Sequence, residues 1–409
     1  MNKFDRFIIF PWGNVFTEDR EKAVERLKSI KECGFNASCF VPETLFDTCR
    51  ELGLIIYCQP ARAVNEDGST TSYRRFIGDP KATKADVLKI MQKALSGLPR
   101  DVRSVYIEDE PGAGRFPQLK LYSECVHEIM PWAEAYINLF PNYAVCGAPN
   151  LSQLETETYE EYLERFAETV KPDAISFDNY RVLISNNFNV SGGRENYFNN
   201  LLQARAVCDK YDIPLQTVCC CNQLRHNQTI PTLGNLALQA YASLAAGARV
   251  LSWYLFFAIN YYLFSPIDDT TGKDVITPSW HLLREVNRRI LPLGQELFDM
   301  EYKGMYFTNP EGLKNARPIS ECIAIKSFSS DTDCMVGHYI DKNDKDVILV
   351  VNCNPEKSTK ISVDMGGESE LYSTEALGWI KPMLINRHGQ ESPMWLEPGS
   401  GILIRIKQD

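Results

Sequence analysis

The sequence predicts an α/β protein: a (β/α)8 barrel followed by a small all-β, sandwich-like domain. Three observations lead there. Eight short apolar runs alternate with helical stretches between residues 7 and 297. No run is followed by the phosphate-binding glycine fingerprint of a doubly wound sheet, which makes the open sheet the second choice. Past residue 300 the helices stop, and short β runs are split by Asp, Asn, Gly and Pro turns. The expected division is a barrel over residues 1–300 and an antiparallel β domain over 301–409.

The predicted strands are "FIIF" (7–10), "NASCFV" (36–41), "LIIYCQ" (54–59), "SVYIE" (104–108), "AYINLF" (135–140), "AISFD" (174–178), "LQTVCC" (215–220) and "VLSWYLF" (250–256). After the first, "DREKAVERLKSIKECG" puts Ala23, Leu27 and Ile30 on one helical face and ends at Gly34. "ETLFDTCRELG" is the helix after the second strand, and a long polar insertion, "ARAVNEDGSTTSYRRFIGDPKAT", follows the third. "TYEEYLERFAETVKP" aligns Tyr159, Leu163, Phe166 and Val170 and stops at Pro172. "TLGNLALQAYASLAAGA" and "PSWHLLREVNRRILPLG" follow the seventh and eighth strands. The β runs of the second part include "CMVGHYI", "VILVVNCN", "KISVDM" and "GILIRI".

A hydrophobic content of 44% with 23% charged residues reads as globular. The net charge of −10 argues against a nucleic-acid partner, which needs a basic surface. No apolar run is long enough to span a bilayer. The start, "MNKFDRFIIFPWG", has no cationic, apolar and small-residue order of a signal peptide. That fits a cytoplasmic protein, or one whose signal was removed ahead of Met1. The 13 cysteines form no CxxC pair and read as reduced, buried small side chains. Neighbouring strand residues face opposite ways, so Cys219, Cys220 and Cys221 do not converge on one ion. No metal or other cofactor is expected.

A barrel carries its chemistry at the C-terminal ends of its strands. Read there, the chain offers Trp12, Arg62, the run Glu108-Asp109-Glu110, Asn138, Asp178, Tyr180, Gln216 and Trp253. Carboxylates and amides hydrogen-bond sugar hydroxyls, and aromatic faces stack on pyranose rings. A carbohydrate is therefore the expected partner. Trp12, Arg62, Asp109, Asn138, Tyr180, Gln216 and Trp253 are the candidate binding residues. An acid run directly behind an apolar strand is not an ordinary solvated face, because an unpaired carboxylate in a strand interior costs several kcal/mol.

With "IEDEP" ending the fourth strand and a β domain behind, the chain resembles the (β/α)8 glycoside hydrolases. The largest clan of these places an Asn-Glu pair at that strand end, with the Glu as general acid/base. Asp109-Glu110 is similar, with Asp in place of Asn. "AYINLFPNYA", "KPDAISFDNY" and "LALQAYASLAAGARVLSWY" resemble uncharacterised glycosidase-like barrels of polysaccharide-degrading bacteria. The resemblance implies hydrolysis of a glycosidic bond in an oligo- or polysaccharide. It departs at strand seven, where the clan's nucleophilic Glu is missing from "PLQTVCCCNQ".

Glycoside cleavage uses an acid and a second carboxyl group. Glu110 is the expected acid. In a regular strand Glu108 shares its face and raises its pKa by repulsion, while Asp109 faces away. Asp178 is the expected second carboxylate, on one face with Ser176 and Tyr180. Two alternatives use the same residues. In one, resembling the hexosaminidase-type barrels, Asp109 orients the substrate's own acetamido group as the nucleophile. In the other, the barrel binds carbohydrate without cleaving it.

Overall fold

The computed structural model describes residues 4–407 except 14, 16, 18, 61–62, 65–67, 185–187, 189–191, 224, 226–228, 259–263 and 382–393. Eight parallel strands alternate with helices in a nearly closed barrel. The strands are β1 (Ile8–Pro11), β2 (Ala37–Val41), β3 (Ile55–Cys58), β4 (Val102–Asp109), β5 (Glu134–Leu139), β6 (Ile175–Asp178), β7 (Leu215–Cys220) and β8 (Ala248–Tyr254). Their hydrogen-bonded order is β1-β8-β7-β6-β5-β4-β3-β2. The ends of that order, β1 and β2, meet at Asn36, whose backbone N–H donates to Ile9 O (3.3 Å). Asn36 donates from Nδ2 to Phe7 O (2.8 Å), and its Oδ1 accepts from Ile9 N (2.7 Å). An amide has the donor and acceptor needed to satisfy two backbone groups at an edge.

Contacts group the chain into two compact units, residues 1–179 with 203–218 and residues 180–202 with 219–409. The first holds β1 to β6, with α1 (Arg20–Glu32), α2 (Phe46–Glu51), α3 (Lys84–Leu95), α4 (Phe116–Ile129) and α5 (Tyr159–Val170). Side chains start three of these helices, α1, α3 and α5, where the first turn leaves N–H groups without partners. Asp19 accepts from Glu21 N and Lys22 N, Thr83 and Asp86 form a reciprocal capping box, and Thr158 accepts from Glu161 N.

The second unit is built around α6 (Leu233–Ala245), in which every residue from Gly234 to Ala245 is buried. A helix apolar all round needs cover on all sides. Gln239 supplies a polar tie, bonding both the N–H and the carbonyl of Cys220 at the end of β7. Another side carries β9 (Cys334–Ile340) and β10 (Asp346–Asn352). A Cβ on Gly337 would stand 2.5 Å from Ala245 O, so glycine is required for this approach. The next helix, α7 (Pro278–Phe298), continues past Pro292 because Leu293, Leu297 and Phe298 remain buried.

β9 and β10 belong to a seven-stranded, largely antiparallel sheet that faces a three-stranded sheet of Ser327–Ser330, Thr359–Asp364 and Met394–Leu396. Val336, Ile348, Val350 and Ile404 meet Ile361, Met365 and Leu396 in the core between them. All of Val347–Asn352 is buried, because β10 covers the sandwich core on one face and α6 on the other. No helix among the described residues is long and apolar enough to cross a membrane.

Candidate active site

The acid run ends β4 as the barrel pattern requires, but not in regular alternation. Tyr106 pairs with Tyr136 of β5, Glu108 with Ile137 and Asp109 with Asn138. The shift between Tyr106 and Glu108 is a β-bulge, and it reverses the parity of the strand. Asp109 therefore faces the barrel interior with Asn138, and Glu108 does not. This corrects the expected alternation, in which Glu108 and Glu110 shared a face. Glu110 then takes a left-handed backbone, φ 47°, and its N–H donates to Asn138 O at 2.9 Å. The bulge and the left-handed residue re-aim three consecutive acids separately.

Asn138 is the hub of the cluster. Its Nδ2 donates to Asp109 Oδ1 (3.1 Å) and to Asp178 Oδ1 (3.0 Å), while its Oδ1 accepts from Ser176 Oγ (2.9 Å). The Ser176 bond fixes which end of the amide points at the acids. Glu110 hydrogen-bonds the Asp178 carboxyl. Two carboxyl groups in contact hold a proton between them, since both cannot ionise side by side.

Their protonation follows. Burial, then the charge of Asp109, lifts Glu110 to about 7, with the Asp178 bond opposing. Burial, then Glu110 and Asp109, holds Asp178 well above the carboxylate range, with Asn138 opposing. Asp109 is exposed at the end of β4, with protein packed around its carboxyl. That enclosure lifts it to about 6, with the Asn138 bond pulling down, Glu108 pushing up and Arg74 pulling down. The anion that acts on Glu110 is thus Asp109 and not Glu108. The arrangement keeps a proton available near neutral pH on a half-buried carboxyl at the barrel's rim.

The turn after the acids is locked from below. Glu155 accepts from Gly114 N (2.6 Å) and Asn150 N (3.0 Å). A Cβ on Gly112 would lie 2.9 Å from Glu155 Cδ, and one on Gly114 would lie 2.5 Å from Glu155 Oε2. Tyr162 of α5 donates to Pro111 O (2.7 Å), and Ala113 N donates to Leu154 O (3.1 Å). The two glycines of "EDEPGAG" are there because a carboxylate occupies the space their side chains would fill.

Glu108 is buried and committed elsewhere. Arg74 Nη2 donates to its Oε1, and Arg115 Nη1 lies 3.7 Å from its Oε2. Arg74 also stands over the Tyr106 ring at 5.3 Å. Trp12 is buried in an edge-to-face cluster with Phe40 (5.1 Å), Tyr106 (6.4 Å) and Tyr136 (5.9 Å). Asn142 Nδ2 donates to Gln203 Oε1 (3.1 Å), and Gln203 Nε2 to Glu160 Oε1 (2.8 Å).

The structure therefore brings Glu110, Asp178, Asp109 and Asn138 together, and it does not bring Gln216 to them. Gln216 sits near the start of β7 and donates to Glu134, the first residue of β5. Burial, then Asp173, raises Glu134 to about 8. Trp253 is fully buried, and its indole N–H donates to Asn287 of α7 (3.0 Å), so it faces the helix layer. The outward direction follows from its place in β8, one residue before Tyr254. Tyr180 stacks on Tyr254 with centroids 5.2 Å apart and planes 13° apart. Arg62 lies outside the described residues.

Arg74 and Arg115 were not legible as site residues. Arg74 belongs to the polar insertion after β3, whose path no periodicity reveals. Arg115 follows the acid run closely enough to be noticed, and its sequence position was the available signal.

No protein-family model matches the chain, and no curated relative does. Solved structures do resemble it. Gas2p of Saccharomyces cerevisiae, in complex with laminaritetraose and laminaripentaose, superposes at TM-score 0.43 with 11% identity over 66% of this chain and 59% of that one. This chain thus spans less than two thirds of the yeast protein's length. The GH51 arabinofuranosidase of Xanthomonas axonopodis pv. citri gives 0.43 and 11% over 99% and 93%. The catalytic domain of the Pyrococcus furiosus chitinase gives 0.42 and 12% over 70% and 96%. At these scores the likenesses carry no functional weight, and the chemistry has to come from the residues themselves.

Proposed function

We propose that the chain is a glycoside hydrolase of oligo- or polysaccharides, with Glu110 as the proton donor. The observation that supports this best is the Glu110–Asp178 carboxyl contact held over Asn138, with Glu110 titrating near 7. Glu110 gives its proton to the glycosidic oxygen as the C1–O bond breaks. Once Glu110 has given up its proton, the Glu110–Asp178 pair carries a negative charge that steadies the positive charge developing at C1, and water supplies the oxygen that C1 gains and returns a proton to the pair. Asp109 polarises Glu110 and offers acceptors to substrate hydroxyls. The catalytic part is the barrel read over residues 1–300, and the β domain of 301–409 has a structural role.

A second mechanism has its own support. The sequence has no Asp or Glu between Asp212 and Asp268, so β7 and β8 bring no nucleophile. Glu110 and Asp178 hydrogen-bond each other instead of standing apart across a substrate as a retaining pair does. An N-acetylated substrate that supplies its own nucleophile needs only a proton donor and an orienting carboxylate, which Glu110 and its Asp neighbours provide.

The leaving group separates these roles. Glu110→Ala is expected to lose about 10²–10⁴-fold on a natural glycoside and far less on an aryl glycoside of an acidic phenol. Asp178→Ala is expected to damage both. If Glu110→Ala leaves natural-substrate turnover intact, the assignment is wrong. If the protein binds sugars but no variant changes turnover above background, the chain is a binding barrel.

A further inference from the structure

This inference rests on the glycosidase reading and names a substrate class for it. Arg74, from the segment between β3 and α3, and Arg115, from the turn after Pro111, both lie against Glu108. One buried carboxylate needs one guanidinium, and Arg74 supplies it. Arg115 stays 3.7 Å away, beyond hydrogen-bond distance, with 53% of its side chain exposed. Among the described residues its guanidinium makes no hydrogen bond. Arg74 adds a further donor, because its Nε is buried and has no acceptor. Buried donors are almost always paired, so an acceptor is missing here.

The position matters as much as the vacancy of these donors. Arg74 stands over the Tyr106 ring, three residues before Asp109, and is the smallest of the influences opposing the rise of the Asp109 carboxyl. An anion received by the two arginines would lie beside the residue that precedes the proton donor. On a chain of net charge −10, a half-exposed guanidinium without a hydrogen bond, set beside the acid run, is a local device and not a general property of the surface. We propose that the sugar beside the scissile bond carries an acidic group, a uronic acid carboxylate or a sulfate ester, received by Arg115 and Arg74. The planar guanidinium fork matches both oxyanions.

The test is calorimetric titration of the Glu110→Gln protein with D-glucuronate, D-galacturonate, a sulfated glucose, D-glucose and D-galactose. At least one acidic sugar should bind about tenfold or more tighter than its neutral parent, and added salt should narrow the gap. Which acidic sugar wins distinguishes carboxylate from sulfate. Arg115→Gln in the same background should bring the ratio close to one, and Arg115→Lys should keep part of it. Equal affinities in the parent protein, a preference that survives Arg115→Gln in a protein of unchanged melting temperature, or no binding by any acidic sugar would overturn the proposal. Wild-type cleavage of neutral glycosides without an acidic preference would overturn this inference alone. Absence of any cleavage would count against the glycosidase reading.

Discussion

Replacing Glu110 by glutamine should stabilise the protein at neutral and alkaline pH. Glu110 titrates near 7 in the fold against an ordinary 4.5, so the folded state binds the proton more tightly than the unfolded chain. Stability from this group is complete below about pH 4.5 and is lost as pH rises through about 7. A shift of that size corresponds to about 3 kcal/mol, and water at the half-buried carboxyl reduces it to about 1–2 kcal/mol. Glutamine has no charge to bury and keeps a donor for Asp178. The wild-type and Glu110→Gln melting temperatures should therefore be close near pH 4.5. They should diverge as pH rises, with the variant a few degrees higher by pH 8. Differential scanning calorimetry across that range reads the difference. A gap that does not change with pH, or a wild type that is the more stable at pH 8, would refute the picture of a strained, proton-holding carboxyl pair.

Other outcomes follow from the same geometry. Asn138→Ala removes two bonds to acids at once and should cost about 1–3 kcal/mol in denaturant unfolding, with the activity optimum moved to higher pH. Gly112→Ala pushes against Glu155 and the Gln153 carbonyl and should cost about 1–3 kcal/mol, with turnover reduced because the acids sit one turn away. Glu134→Gln should be nearly neutral at pH 7 and stabilising above pH 8, since Glu134 titrates near 8. All 13 cysteines are free, so mild reduction should leave the melting temperature unchanged.

The barrel was legible because each strand is a short apolar run with a helix of different period behind it, and the caps of α1, α3 and α5 reinforce that pattern. The bulge in β4 was not. Nothing in "SVYIEDE" marks which residue is doubled, and one extra residue exchanges the faces of Glu108 and Asp109. Gln216 and Trp253 show a related limit. Both lie in strands that were identified, yet the end of the strand in one case and the face in the other depend on register and stagger. The glycines after Pro111 were visible as a stop signal, while their cause, Glu155, comes from a loop some forty positions on.

The most direct measurement of the central claim is product analysis by mass spectrometry in water enriched in the heavy oxygen isotope. Neutral, N-acetylated and acidic oligosaccharides would be treated in parallel with wild type, Glu110→Gln and Asp178→Asn. Shortened chains carrying one heavy oxygen at the new reducing end, formed by the wild type and lost with either substitution, are the predicted result. Equal product from all three proteins, or bound but uncut oligosaccharide with the wild type, would contradict it.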